Sequence, residues 1–314
     1  MSKQIKDVAA SVRARLLNIA KNERRSFDSV LLLYMQERLL YRLSISEFSS
    51  KFILKGGLLM FMLTEYKGRP TKDIDLLAQQ ISNDKDDIKR VFLDICNIQY
   101  EDDGLVFIGE DIEVEDIKED ADYHGVRVKS TCFLGNAKKM VQLDIGFGDI
   151  VIPKATEMEC PILLELEAPV IKVYSLESII SEKFQAMIAL SVANSRMKDF
   201  YDIFTLLSTN NFDGRKLQEA VFETLQRRHT IIEKENVIFS EQFIQDESRN
   251  RLWQNFLRKI NVEKLEFREV MKHIEEFLKP IYNSIINEEE FFMQWDYVNK
   301  RWFKDLKESE AAVE

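Results

Sequence analysis

The sequence contains few of the residues that mark secreted, membrane or disordered proteins. Its 314 residues include three cysteines, five prolines and ten glycines, too few for a disulfide framework or for long low-complexity tracts. No apolar run approaches the roughly 18 residues that a membrane-spanning helix needs, and residues 1–17 lack the continuous apolar stretch of a secretory signal. We therefore expect a cytoplasmic protein whose three cysteines, Cys96, Cys132 and Cys160, are reduced and buried.

Charge is distributed unevenly along a chain whose formal net charge is −10. Residues 1–55 contain 11 lysines and arginines against 5 acidic residues, a net charge of +6. Residues 101–122 contain 11 acidic residues against one lysine, a net charge of −10. The basic segment, with Arg13, Arg15, Arg24, Arg25 and Lys51, suits a polyanion such as RNA. Solvated helix surface explains it equally well.

Apolar periodicity divides the chain into three parts. Residues 8–43 follow the spacing of two helices, and residues 51–150 alternate short β-prone runs with helical segments. From about residue 175 the pattern is helical to the aromatic segment 289–305, which we expect to be a capping helix. Residues 162–166 are expected to be extended. These patterns predict an α/β domain over residues 1–155 and a mainly helical domain over residues 156–314.

Gly56 and Gly57 end an apolar, β-prone run, and an apolar helical run follows them. A glycine pair before a helix lets phosphate oxygens approach the backbone amides and the positive end of the helix dipole. Taken alone, such a pair is more often a tight turn. Its position ahead of an acidic motif favours the interpretation as a phosphate-binding site.

Asp73 and Asp75 alternate with apolar residues, and on a strand residues i and i+2 share a face. Two adjacent carboxylates repel each other, and a divalent cation is the usual compensation. Asp144 alternates in the same way between Leu143 and Ile145. Three carboxylates on neighbouring strands predict a site for two Mg²⁺ ions. A solvated strand acid would explain Asp144 alone equally well.

Two further patterns lie on the later helices. Lys183 shares a helical stripe with apolar residues, so its ammonium either extends to solvent or faces a phosphate. Arg196, Asp199 and Asp202 are spaced by three residues, which predicts a surface ladder of ion pairs of little energetic value.

Together these motifs resemble those of the AbiEii/AbiGii/MenT nucleotidyltransferase toxins, a branch of the DNA polymerase β-like superfamily. The resemblance covers roughly residues 10–210. It implies an α/β (α+β) fold with a mixed sheet, flanked by N-terminal helices and followed by a helical domain that completes the active-site cleft. The motifs that carry it are Gly56-Gly57, Arg69-x-Thr71-x-Asp73-x-Asp75, Leu143-Asp144, Glu182-Lys183 and Arg196-x-Lys198-Asp199-x-Tyr201-Asp202.

The resemblance also implies a function. Such proteins are toxins of toxin–antitoxin or abortive-infection systems and act in phage defence. They use an NTP and Mg²⁺ to transfer a nucleotide to RNA, with the 3′ end of tRNA as the expected acceptor, and thereby block translation. A separate antitoxin protein restrains them, and no membrane is involved. The alternative acceptor is a hydroxyl on a protein or on a small molecule such as an aminoglycoside.

Transferred by motif, the roles of individual residues follow from the same resemblance. The glycine pair would hold the triphosphate, Asp144 would help to deprotonate the acceptor hydroxyl, and Asp199 would order the nucleotide pocket. The expected metal ligands are Asp73, Asp75 and Asp144. The expected catalytic residues are these three with Lys183 and Asp199. The expected nucleotide-binding residues are Gly56, Gly57, Arg69, Lys183, Arg196 and Asp199.

Overall fold

The computed structural model describes residues 7–119 and 123–304, and these form two compact units. The first unit runs to Gly148 and includes Ala155–Val173, whereas the second includes Asp149–Lys154 and begins again at Tyr174. The predicted domain boundary at residue 155 stays a prediction. The segment that follows it contributes two strands to the first unit.

Two helices begin the first unit, as the apolar periodicity predicts. Helix α1 spans Val8–Asn22 and α2 spans Phe27–Ser44. The side chains of Asp7 and Ser26 accept backbone N–H groups at the two helix starts, which satisfies donors that the helices leave unpaired.

Helix α2 carries charged side chains into the core. Arg42 donates to both carboxylate oxygens of Asp103, over 2.6 and 3.4 Å, and Arg38 donates to the carbonyl of Glu167 over 2.6 Å. The carboxylate of Glu37 accepts the backbone N–H of Leu163 over 2.7 Å. Burial raises the pKa of Glu37 to about 7. These polar contacts attach α2 to distant segments of its own unit.

Seven strands of the described residues form one mixed sheet. The elements of this part of the chain are β1 (Phe52–Lys55), α3 (Gly56–Leu63), β2 (Asp73–Ala78), α4 (Lys85–Cys96), β3 (Leu105–Glu119), β4 (Tyr123–Leu134), β5 (Ala137–Phe147), β6 (Thr156–Glu159) and β7 (Val170–Val173). The strand order in the sheet is β3-β4-β5-β2-β1-β7-β6. The pairs β2–β5 and β1–β7 are parallel and the other pairs are antiparallel. This mixed sheet follows the N-terminal helices along the chain and precedes the C-terminal helices, which confirms the predicted fold class.

Two local predictions in this unit need correction. Strand β3 continues through the acidic segment to Glu119, so it is much longer than the short β-prone runs predicted for residues 51–150, and it lies at one edge of the described sheet. Charged side chains suit an edge strand because they discourage pairing with another chain. Residues 162–166 do not form the expected extended piece. Residues 163–166 form bends, since the preceding strand β6 pairs with β7 and the chain must reverse between them.

The second unit is mainly helical, as predicted. Its described helices are α5 (Leu176–Leu190), α6 (Met197–Leu207), α7 (Gly214–Arg227), α8 (Glu241–Gln245), α9 (Glu247–Lys259) and α10 (Phe267–Ile286). No helix in the described part of the chain is long and apolar enough to cross a membrane. The three cysteines lie within the described residues and are buried free thiols, as predicted.

The predicted capping helix over residues 289–305 is wrong. Its described residues contain strands β9 (Gln294–Asp296) and β10 (Arg301–Phe303), which join β8 (Phe212–Asp213) in a small antiparallel sheet. Trp302 stacks on Phe277 with ring centroids 5.4 Å apart. The pattern of aromatic residues reflects packing on α10 and not a helical period, and aromatic residues also suit strands.

Candidate active site

Asp73 and Asp75 lie on one face of β2, as the alternation predicts. Ile74 between them is fully buried, whereas both aspartates are partly exposed. Strand β5 runs parallel beside β2, so that Asp75 pairs with Asp144 and Asp73 with Gln142. The side-chain period of two then gives the paired residues a common face. The three aspartates therefore lie on adjacent strands.

The glycine pair lies directly against one of these carboxylates. Helix α3 begins at Gly56, whose φ of +66° is the left-handed conformation that favours glycine. A Cβ atom at Gly56 would lie 2.0 Å from Oδ2 of Asp75, which no side chain could accept. The N–H of Gly57 donates to the same oxygen over 3.0 Å. The helix start thus approaches Asp75 as closely as backbone can.

The loop before β2 is held against the same helix start. A Cβ atom at Gly57 would lie 3.5 Å from Nη1 of Arg69, so this guanidinium is next to the glycine pair. Gln36 is fully buried and donates from Nε2 to the carbonyl of Lys72 over 2.9 Å. Sequence reasoning missed Gln36, although a glutamine among the apolar residues of α2 was the available signal. Helix α2 therefore supports the loop that leads into Asp73.

Arg127 is the most consequential residue that sequence reasoning missed. It lies opposite Asp144 on β4 and donates from Nε and Nη2 to the two carboxylate oxygens, each over 2.8 Å. Hydrogen bonding to Asp144 raises the pKa of this guanidinium above its usual value. Gln142 adds a third donor, 3.2 Å from Oδ1 of Asp144.

The strand register places four charged residues in one line across the sheet. Lys55 pairs with Asp75, Asp75 with Asp144, and Asp144 with Arg127. We call Lys55, Asp75, Asp144 and Arg127 the charged row. Its two carboxylates are adjacent and its two cations flank them, and beyond Arg127 the register continues to Glu115 of β3. Lys55 is buried, whereas the Arg127 side chain keeps 31 % of its surface exposed.

The second unit contains its own charged cluster, which corrects the predicted surface ladder. Lys183 donates to Asp199 and Asp202 over 2.9 and 2.7 Å, and both carboxylates are almost fully buried. Arg196 contacts the other oxygen of Asp199 over 2.8 Å and is largely exposed. The sequence grouped Asp202 with Arg196 and Asp199 but not with Lys183, because Lys183 lies on α5 and the two aspartates lie on α6. We call Lys183, Arg196, Asp199 and Asp202 the helical cluster.

Comparison with known proteins identifies the family. The sequence matches the family described as "Nucleotidyl transferase AbiEii toxin, Type IV TA system" over residues 38–277. The chain belongs to the AbiEii family. It is therefore a nucleotidyltransferase of a toxin–antitoxin family, as the motifs predict, and this family implies an antitoxin partner.

Two solved structures from Helicobacter pylori are similar to this AbiEii-family chain. One is a candidate nucleotidyltransferase with 14 % identity and a TM-score of 0.49, covering 85 % of this chain and 100 % of its own. The other, JHP933, has 13 % identity and a TM-score of 0.47, covering 84 % of this chain and 95 % of its own. No curated protein matches the chain.

The donor chemistry of the AbiEii-family site suits a hard divalent cation. Asp73, Asp75 and Asp144 offer the carboxylate oxygens that Mg²⁺ takes in proteins. Within the described ranges, however, no three Asp, Glu, His or Cys side chains are grouped closely enough to hold a metal ion. Two of these carboxylates already have donors, since Arg127 donates to both oxygens of Asp144 and the N–H of Gly57 donates to Asp75.

The predicted site residues divide between the two units of this AbiEii-family chain. The first unit brings together the glycine pair and its neighbouring arginine with the carboxylates of β2 and β5, whereas the second holds the helical cluster. The individual roles stay predictions. In the first unit these residues are Gly56, Gly57, Arg69, Asp73, Asp75 and Asp144, and in the second they are Lys183, Arg196 and Asp199.

Proposed function

We propose that this protein transfers an NMP group from an NTP to an RNA hydroxyl, with the 3′ end of tRNA as the acceptor. Pyrophosphate is released and the modified RNA no longer supports translation. The reaction takes place in the cytoplasm and contributes to abortive infection and phage defence. The antitoxin inhibits it. Family membership and the geometry around Asp75 support this proposal.

The observation that carries the proposal is the contact between the start of α3, at its glycine pair, and the carboxylate of Asp75, which is paired with Asp144 on the neighbouring strand. Phosphates bind well at a helix start because backbone N–H groups and the helix dipole favour negative charge. At Gly56 the backbone is so close to Asp75 that a triphosphate held there lies beside the acids of β2 and β5. Arg69, next to Gly57, adds a cation for the phosphates.

In the proposed reaction the acceptor oxygen attacks the α-phosphorus. The bond from the α-phosphorus to the oxygen bridging to the β-phosphate breaks, and pyrophosphate leaves with that electron pair. Asp144 accepts the hydroxyl proton, while the backbone at Gly56 and Gly57 and the guanidinium of Arg69 stabilise the leaving phosphates. When bound by Asp73, Asp75 and Asp144, Mg²⁺ would neutralise phosphate charge and lower the pKa of the attacking hydroxyl. We also propose that Lys183 binds the nucleotide and that Asp199 orders the nucleotide pocket.

The decisive test removes one carboxylate. We expect Asp75→Asn to lower transfer from an α-³²P-labelled NTP by about 10³-fold or more, because the site would lose a ligand of Mg²⁺, the cation that would compensate the charge at the reacting phosphate. Asp116→Asn is the matched control, because Asp116 is an exposed strand acid paired with Lys85. Normal labelling of RNA by the Asp75→Asn protein would refute the proposed chemistry.

The acceptor is tested separately, by offering the labelled NTP to total RNA, to a protein lysate and to an aminoglycoside. We expect the label in the RNA fraction and, after gel separation, in tRNA. Label in protein or in the aminoglycoside would replace RNA by that acceptor while leaving the transferase chemistry intact.

The N-terminal basic segment offers weaker support for RNA than its charge suggests. Arg38, Arg42 and Lys55 are buried, so three of its cations do not reach a phosphate at the surface. Arg13 and Arg24 remain exposed, and Arg25 contacts Glu23 over 3.0 Å. We expect RNA affinity to fall steeply with salt and to weaken when Arg13 and Arg24 are both changed to glutamate. Salt-independent binding would remove this support.

A further inference from the structure

Both oxygens of Asp144 are already engaged in the structure. The planar guanidinium of Arg127 donates two parallel hydrogen bonds of 2.8 Å each to the carboxylate. Such bidentate, charge-assisted pairs are among the strong hydrogen bonds in proteins. Gln142 donates to Oδ1 as well. A cation that approaches Asp144 therefore meets the positive charge of Arg127 and two donors already on Oδ1, so it competes with Arg127 for the carboxylate.

The competition is feasible because this ion pair is not buried. The side chain of Arg127 is 31 % exposed and that of Asp144 is 20 % exposed. Water can hydrate a guanidinium released from such a pair, so its release costs far less than opening a fully buried pair. The strand register holds the two residues opposite each other in either case.

The remaining cation of this strand face is directed elsewhere. Lys129 lies two residues from Arg127 on β4, and its Nζ contacts Glu115 over 2.7 Å. Glu115 belongs to β3, on the side of β4 away from β5. Arg127 is thus the basic residue of β4 that the register assigns to the carboxylates of the charged row.

We propose that Arg127 is a positioning residue that holds Asp144 while the nucleotide site is empty and yields the carboxylate to a divalent cation. This rests on the proposed function, since it presupposes a metal site at Asp73, Asp75 and Asp144. Arg127 then sets the affinity of that site. It keeps the nucleotide-free protein from binding divalent cations tightly.

The test measures Mn²⁺ binding to nucleotide-free protein by electron paramagnetic resonance. We expect Arg127→Gln to bind Mn²⁺ about two- to fivefold more tightly than the unmodified protein, the range that a partly exposed ion pair supports. Arg127→Lys retains the charge but loses the two parallel hydrogen bonds of the guanidinium, so its Mn²⁺ affinity should lie between those of the unmodified protein and Arg127→Gln. Lys129→Gln, which removes one charge from the same strand face, should stay within about 1.5-fold because its partner is Glu115.

A second measurement needs no variant. Phenylglyoxal modifies accessible guanidinium groups, and mass spectrometry locates the modified arginine. We expect Mn²⁺ to increase the modification rate of Arg127, because the released guanidinium becomes more exposed. A merely structural Arg127 would react equally with and without Mn²⁺.

The outcomes separate this proposal from the proposed function. Suppose that Asp75→Asn and Asp144→Asn weaken Mn²⁺ binding but Arg127→Gln does not strengthen it. This result overturns the role of Arg127 and leaves the metal site intact. Mn²⁺ binding that neither aspartate variant weakens overturns the metal site, and the role of Arg127 with it.

Discussion

Asp144 in the first unit and Asp199 in the second are both held by basic side chains at similar distances. Asp144 meets Arg127 over 2.8 Å and Asp199 meets Lys183 over 2.9 Å. Their surroundings differ, because the side chain of Asp144 is 20 % exposed and that of Asp199 is 2 % exposed. The same kind of contact therefore has two different consequences.

Exposure decides which ion pair can be exchanged. A partly exposed pair contributes up to about 1 kcal/mol, and water can replace either partner. A buried carboxylate that loses its cation is left uncompensated in a medium that solvates charge poorly, and this costs several kcal/mol. The pair of Asp144 and Arg127 is thus suited to exchanging partners, whereas the helical cluster holds Lys183 in one place.

The sharpest test of this contrast compares two cations on one carboxylate. Lys183→Met should lower the free energy of unfolding by about 3–5 kcal/mol, because Asp199 and Asp202 stay buried without their shared cation. Arg196→Gln, which removes the exposed partner of Asp199, should cost less than about 1 kcal/mol. Urea denaturation followed by circular dichroism measures both. Equal costs would contradict the distinction.

Substitutions in the glycine pair test whether the close approach of the backbone to Asp75 constrains the site. Gly56→Ala should cost about 2–4 kcal/mol of folding free energy, because the left-handed backbone strains a side chain and its Cβ must displace Asp75. Gly57→Ala should cost less, about 1–2 kcal/mol, because its backbone is not left-handed, although its Cβ would meet Oγ1 and Cβ of Thr71 at 2.9 and 3.1 Å and Thr71 must shift. Thermal unfolding compares the two. A larger cost at Gly57 would show that the contact with Asp75 is not the constraint.

Glu37 extends the contrast to a buried carboxyl whose cation is held farther away, with Nη1 of Arg38 at 3.9 Å from Oε1. Its pKa is raised from 4.5 to about 7, mainly by burial, while the N–H of Leu163 opposes the shift. The folded state therefore holds this proton more tightly than the unfolded chain. The stability that Glu37 contributes is present below pH 4.5 and is lost as the pH rises towards 7.

Glu37→Gln removes that loss, because a glutamine does not ionise and its carbonyl can still accept from Leu163. Between pH 4.5 and pH 8 we expect the stability of the variant relative to the unmodified protein to improve by about 1–3 kcal/mol. Urea denaturation at a series of pH values measures the change, with Glu65→Gln as a control at an exposed carboxyl. A difference that does not vary with pH would contradict the burial of a titrating group at this position.

The smallest effect on stability is expected at Asp144. Asp144→Asn should change the free energy of unfolding by less than about 1 kcal/mol, because Arg127 can turn to solvent. Under the proposed function the same variant should lose most of its nucleotide transfer. Urea denaturation and the labelled-NTP assay, performed on one preparation, check the two expectations. A large loss of stability would place Asp144 with the structural ion pairs of the helical cluster.

Much of the first unit could be predicted because its signals are local. The alternation around Ile74 placed Asp73 and Asp75 on one strand face, and the structure agrees. The pairing of Arg127 with Asp144 could also have been predicted from the sequence. Leu134 pairs with Ala137 across a two-residue turn, and Gly135-Asn136 is a hairpin signal. Counting back from that turn pairs Arg127 with Asp144.

Other features had no local signal. The strands at residues 294–296 and 301–303 look helical by spacing, because their tryptophans pack on α10 rather than following a period of their own. The buried pair of Arg42 and Asp103 joins residues 61 positions apart. No pattern within either segment indicates that the two charges meet.

The sequence by itself determined the class of chemistry. Its glycine pair, its alternating aspartates and its family motifs identify a nucleotidyltransferase, since these depend on residue type and short spacing. Only the tertiary structure decided which charges meet. It set Arg127 against Asp144 and placed Lys183 between Asp199 and Asp202. The physical reason is that backbone periods are set by neighbouring residues, whereas the partner and the burial of a charge depend on strand register and packing between distant segments.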